Sequence, residues 1–88
     1  MKKPFLTDDE LKILSIRIYL QEVLYIKPTY KAISEKHPLK MSETSIKQHV
    51  MRMKYKLNIE GNIADIIKEV KDLGIEIPEF KELCQLFQ

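Results

Sequence analysis

An all-α fold, a small helical bundle of four to five helices containing a helix-turn-helix, is what the sequence predicts, on three observations. Apolar residues recur at steps of three and four along most of the chain. A capping residue or a proline stands just before each such run, at Thr7, Thr29, Ser42, Asn62 and Pro78. The first apolar run, although it carries β-branched residues, is too long for a strand, and Lys12, Arg17, Gln21 and Glu22 break any period of two. With 88 residues the chain has room for a single domain. Its expected division is a bundle over 1–77 and a helical tail over 78–88.

In the first helix Thr7 is a capping hydroxyl, Asp8 and Asp9 suit the positive helix start, and Glu10 stands at the capping-box position. Phe5 or Leu6 can staple it from outside. Leu11, Ile13, Leu14, Ile16, Ile18, Tyr19, Leu20, Val23 and Leu24 make it apolar over most of its circumference, so it should be the core's main pillar, running on to about Tyr25. Pro28 then disfavours helical geometry at Lys27, and Thr29 caps a short second helix through Glu35. The stretch HPLKM follows as a turn, with Leu39 and Met41 placed to fill the gap beneath it and His37 expected at the surface.

The third helix, Ser42 to Asn58, is the one the others position. Ile46, Val50, Met53 and Leu57 form its inner stripe, while Lys47, Gln48, Arg52, Lys54 and Lys56 follow with no acid after Glu43. Such an outward side suits a polyanion. After IEGN, Asn62 caps a fourth helix whose inner face is Ile63, Ile66, Ile67, Val70 and Leu73, and Gly74 with Ile75 closes it in the Schellman manner. In the tail, Phe80, Leu83, Cys84 and Phe87 share a side, which either closes the core or forms a self-association surface.

These motifs resemble a family. From Leu6 to about Ile77 the chain is similar to the LuxR and GerE type of DNA-binding domain, a four-helix bundle with a helix-turn-helix. The better match covers Ser42 to Ile75, where SETSIKQHV followed by KYKLNI looks like the family's S-E-x-T-V-K-x-H-V/I and its K-L-x-V ending. Over Leu6 to Met41 the match is looser: LTDDELKIL is similar to L-T-x-R-E-x-E-V-L, and TYKAIS stands where the family has S/T-N-K-E-I-A. The chain departs from the pattern in lacking a glycine after the first helix, in Ala32 and Ser34, and in a turn two residues longer between the paired helices. The resemblance implies that Lys47, Gln48 and Met51 occupy base-reading positions and that the fourth helix is a dimer contact.

Chemistry gives the same site its roles. Lys47 can donate to guanine O6 and N7, Gln48 can pair with adenine, and Met51 can pack on a thymine methyl. Thr29, Tyr30 and Lys31 at one helix start, Ser42 and Thr44 at the next, and Arg52 and Lys54 along the basic helix are expected to meet phosphates. Thr29 and Ser42 would serve as caps in any helical protein, and Tyr30 can equally cover the core. From Thr29 to Asn58 seven Lys or Arg face two acids, a local +5 in a chain of net +2. His49, beside the buried stripe, is expected to be a packed, hydrogen-bonded residue.

Other classes find little support. Two histidines and one cysteine without paired spacing argue against a metal site, and no Gly-rich phosphate loop, activated nucleophile or convergent acid pair points to an enzyme or a cofactor. The lone Cys84 excludes an internal disulfide, and neither a signal peptide nor a membrane span is visible, so a cytoplasmic home is expected. The expected function is a sequence-specific transcriptional regulator that places the Ser42 to Asn58 helix in the major groove of double-stranded DNA. It would act as a homodimer through Asn62 to Leu73 or the tail. The alternative is a protein-binding module on the same scaffold that sequesters another regulator without touching DNA.

Overall fold

The computed structural model describes residues 6–37 and 40–82. Four helices follow one another, α1 (Asp8–Glu22), α2 (Tyr30–Lys36), α3 (Glu43–Leu57) and α4 (Ile63–Asp72), and residues 80–82 turn helical again. No strand occurs among the described residues, so the fold is the expected all-α bundle. Helices α1, α2 and α3 pack pairwise on one another, and α4 packs on α3.

Each helix start is satisfied by the residue the sequence offers for it. Thr7 Oγ1 accepts from Glu10 N at 3.2 Å while Thr7 N donates to Glu10 Oε1 at 2.8 Å, a complete capping box. Asn62 and Asp65 repeat the arrangement at α4, at 3.2 and 3.0 Å. A Cβ on Gly61 would run into that Asp65 carboxylate, and Gly61 has φ +129, so glycine suits this position twice over. Thr29 Oγ1 accepts from Ala32 N at 3.1 Å and Ser42 Oγ from Ser45 N at 3.2 Å.

The helix ends are equally specific. Asn58 is left-handed at φ 54, with Ile59 N donating to Lys54 O and Asn58 N to Tyr55 O, and Gly74 at φ 77 does the same for α4. Both are Schellman closures, as expected at Gly74. Helix α1 stops sooner than its apolar pattern suggests, at Glu22 rather than near Tyr25. Tyr25 itself is left-handed at φ 55, and Ile26 N turns back to Leu20 O at 2.9 Å. The connection thus takes the backbone shape that a glycine ordinarily supplies, with a tyrosine in its place.

The core is drawn from all four helices: Ile13, Leu14, Ile16 and Leu20 from α1, Ile33 from α2, Ile46, Val50, Met53 and Leu57 from α3, and Ile63, Ile66, Ile67 and Val70 from α4. Leu6, ahead of α1, is buried with them, and Met41, Ile75, Ile77 and Phe80 border the core. His37 is buried at 2% exposure, which corrects its expected place at the surface. The reason lies in spacing, because His37 comes four residues after buried Ile33 and shares its side of α2. Lys40 N donates to His37 O at 2.9 Å, and Ser34 Oγ donates to Met41 O at 2.6 Å, so the α2–α3 connection is tied to α2 by both backbone and side chain. Leu39 lies outside the described residues, as do Phe5 and the tail residues Leu83, Cys84 and Phe87. What is described of the tail rests on α1, with Phe80 stacked on Tyr19 at 4.4 Å between ring centroids.

Candidate nucleic-acid interface

Helix α3 is amphipathic in a way that sorts its residues by angle. Its buried stripe leaves Thr44, Gln48, Met51 and Tyr55 on the ridge most nearly opposite, all of them exposed. Met51 is 67% exposed and Tyr55 89%. At about 100° per residue, Lys47 and Lys54 lie on one flank of that ridge and Arg52 and Lys56 on the other. The centre of the outward face is therefore polar and apolar by turns, and its cations stand at the edges. That is a finer picture than the basic outward side expected from the order of residues along the helix.

Two of the lysines have neighbours that periodicity does not reveal. Lys56 Nζ donates to Glu10 Oε1 at 2.6 Å, reaching from the last turn of α3 to the first turn of α1. Glu10 is 1% exposed, so this carboxylate is compensated inside the protein. Burial pushes its pKa up, but hydrogen bonds from Lys56 and Thr7 and the ammonium's charge outweigh that and hold it below the usual carboxylate value. Lys47 Nζ lies 5.6 Å from the centroid of the Tyr30 ring, which spans the seam between α2 and α3. A structural neighbour for Lys47 thus exists where the sequence suggested none.

The remaining site residues fall as follows. Thr29 and Lys31 are exposed at the start of α2, and Tyr30 is half-buried beside them. Ser42 is exposed and caps α3, its hydroxyl also lying 3.1 Å from Ser45 Oγ. Arg52 is exposed and Lys54 half-exposed. The Lys47 contact brings the start of α2 beside the second turn of α3, so Tyr30 and Lys47 belong to one surface. His49 is half-buried and its Nδ1 donates to Ser45 O at 2.7 Å, the packed role expected of it. Tyr55, which the charge pattern does not single out, shares their ridge through its steps of seven and four from Gln48 and Met51.

Among the described residues no group of His, Cys, Asp and Glu is set to hold a metal ion, and no helix is long and apolar enough to cross a membrane. A cavity of about 440 Å³ lies between α1 and the start of the tail, lined by Ser15, Ile18, Tyr19, Val23, Ile77 and Phe80. Exposed Val23, Tyr25 and Ile26 follow along the connection after α1. Comparison with family models, with curated proteins and with solved structures gives no match for this chain.

Proposed function

We propose that the chain is a helix-turn-helix transcriptional regulator that binds duplex DNA through the outward ridge of α3, as the resemblance to LuxR and GerE domains implies. The observation that carries this reading is the arrangement of α3: its inner stripe is buried and its outer ridge bears Gln48 and Met51 between edges of Lys47, Arg52 and Lys54. Hydrogen-bonding and methyl-packing groups at the centre, with Lys47 beside them, suit base edges, and Arg52 and Lys54 at the edges suit the two phosphate walls of a major groove. Thr29 and Lys31 extend the phosphate-facing edge from the start of α2, and Ser42 and Thr44 from the start of α3. A single copy offers few such contacts, so two copies on two half-sites, joined through α4 or the tail, are part of the proposal.

The test is a titration with random-sequence duplex DNA over a salt series. Lys31, Arg52 and Lys54 neutralising one phosphate each give a slope of log K on log salt of about −3 per protomer, doubled for a dimer. No binding at low salt sinks the DNA reading. A second reading, a protein-binding module, is favoured by the exposed Met51 and Tyr55, whose apolar surface suits a partner helix as well as a groove. The double substitution Lys47→Ala with Arg52→Ala separates them: loss of DNA binding and regulatory effect together supports the first, and an effect that survives supports the second.

A further inference from the structure

We infer that Tyr30 is a positioning residue for Lys47, acting through its ring and not its hydroxyl, so that α2 helps place the cation that α3 brings to the duplex. This rests on the DNA-binding reading above. Tyr30 is the first residue of α2, directly after the Thr29 cap, so its backbone is held by that cap's bond to Ala32 N. It is half-buried and packed against the core's margin, which gives the ring a fixed seat. Lys47 stands exposed on α3 with its ammonium 5.6 Å from the ring centroid, within the reach of a cation–π contact.

The consequence concerns ordering. A free lysine has many rotamers, and binding a polyanion must select among them at an entropic cost. A ring already holding the ammonium at the α2–α3 seam makes part of that selection in the unbound protein. The hydroxyl has no part in this, so phenylalanine should serve as well as tyrosine and leucine should not. A phosphate contact by the Tyr30 hydroxyl predicts the opposite ranking.

The experiment measures Kd for a random-sequence duplex at one low salt concentration, for the wild type, Tyr30→Phe, Tyr30→Leu, Lys47→Ala and the Tyr30→Leu with Lys47→Ala double variant. In parallel, NMR of the free proteins reads the Lys47 ε-methylene protons, which a ring beneath them shifts upfield. The expected results are an upfield shift kept in Tyr30→Phe and lost in Tyr30→Leu, and binding unchanged in Tyr30→Phe. Tyr30→Leu should bind about two- to fivefold more weakly, the size of an exposed cation–π contact, with no added loss on top of Lys47→Ala. A merely structural role would weaken the Lys47→Ala background by the same factor, and that result overturns the inference. So does an absent upfield shift, or a Tyr30→Phe as weak as Tyr30→Leu. A wild type that binds no duplex removes the DNA reading and this inference together, whereas binding without the coupling removes this inference alone.

Discussion

Lys56 and Glu10 meet at 2.6 Å across 46 positions of sequence, and the contact ties the end of α3 to the start of α1. One Glu10 oxygen also accepts from Thr7 N, so a single carboxylate closes a capping box and anchors α3. Lys56→Ala leaves that carboxylate buried with only its Thr7 partner. The expected cost is about 1.5–3 kcal/mol, the range for hydrogen bonds to charged groups, and no more because Lys56 itself remains partly in solvent. Denaturant unfolding of the variant and of a Glu10→Gln with Lys56→Met pair checks it, since the paired variant should recover part of the loss.

Acid should destabilise the protein in two separate steps. Burial, with repulsion from Lys12 and His49 against attraction from Asp9, holds His37 below the ordinary histidine value. A folded-state pKa that is depressed gives stability that is full above the unfolded value of about 6.5 and is lost as pH falls through the folded value. Glu10 is depressed too, so its contribution is full above the ordinary carboxylate range and is lost below it. Thermal unfolding followed from pH 8 to pH 3 should show both limbs, and His37→Phe should flatten only the upper one. A profile unchanged by that substitution would exclude His37 as the source.

Ser34 holds the α2–α3 connection through its bond to Met41 O. Ser34→Ala should cost about 1 kcal/mol in stability and should weaken duplex binding by more than that loss explains, because α3 then leaves α2 less well oriented. Equal binding by a fully folded Ser34→Ala protein at 10 °C would show that the connection does not set the interface.

Met51 gives a test at the level of one methyl group. If its exposed side chain packs on thymine, replacing thymine by uracil in a selected site should weaken the wild type by up to about 0.8 kcal/mol, the worth of one buried methylene-sized group, and leave Met51→Ala indifferent to the change. A uracil effect of the same size in both proteins would assign Met51 no reading role.

The legibility of this sequence was uneven for physical reasons. Capping residues act within four positions of themselves, so Thr7, Thr29, Ser42 and Asn62 could be read directly, and the structure has a helix start at each. Burial along α3 follows from a strict period and was equally plain in Ile46, Val50, Met53 and Leu57. What periodicity cannot supply is which side chains meet between elements. The Glu10–Lys56 and Tyr30–Lys47 contacts depend on how helices cross, and nothing local encodes that. His37 and Glu10 were readable in part, since each lies on a buried stripe, but polar identity argued against burial. The end of α1 was missed because Val23 and Leu24 continue its apolar pattern while the left-handed turn at Tyr25 has no glycine to mark it.

That turn also sets where the chain is open to cutting. Tyr25 is 87% exposed and lies between exposed Val23 and Ile26, so an enzyme that cleaves after aromatic residues meets an accessible bond there before it meets one inside a helix. A nick at this bond would part α1 from the paired helices while Ile13, Leu14, Ile16 and Leu20 still hold the two pieces in one core. The molecule would then be a two-fragment complex whose reassembly, after separation, reports directly on how much of the fold α2, α3 and α4 can build without their pillar.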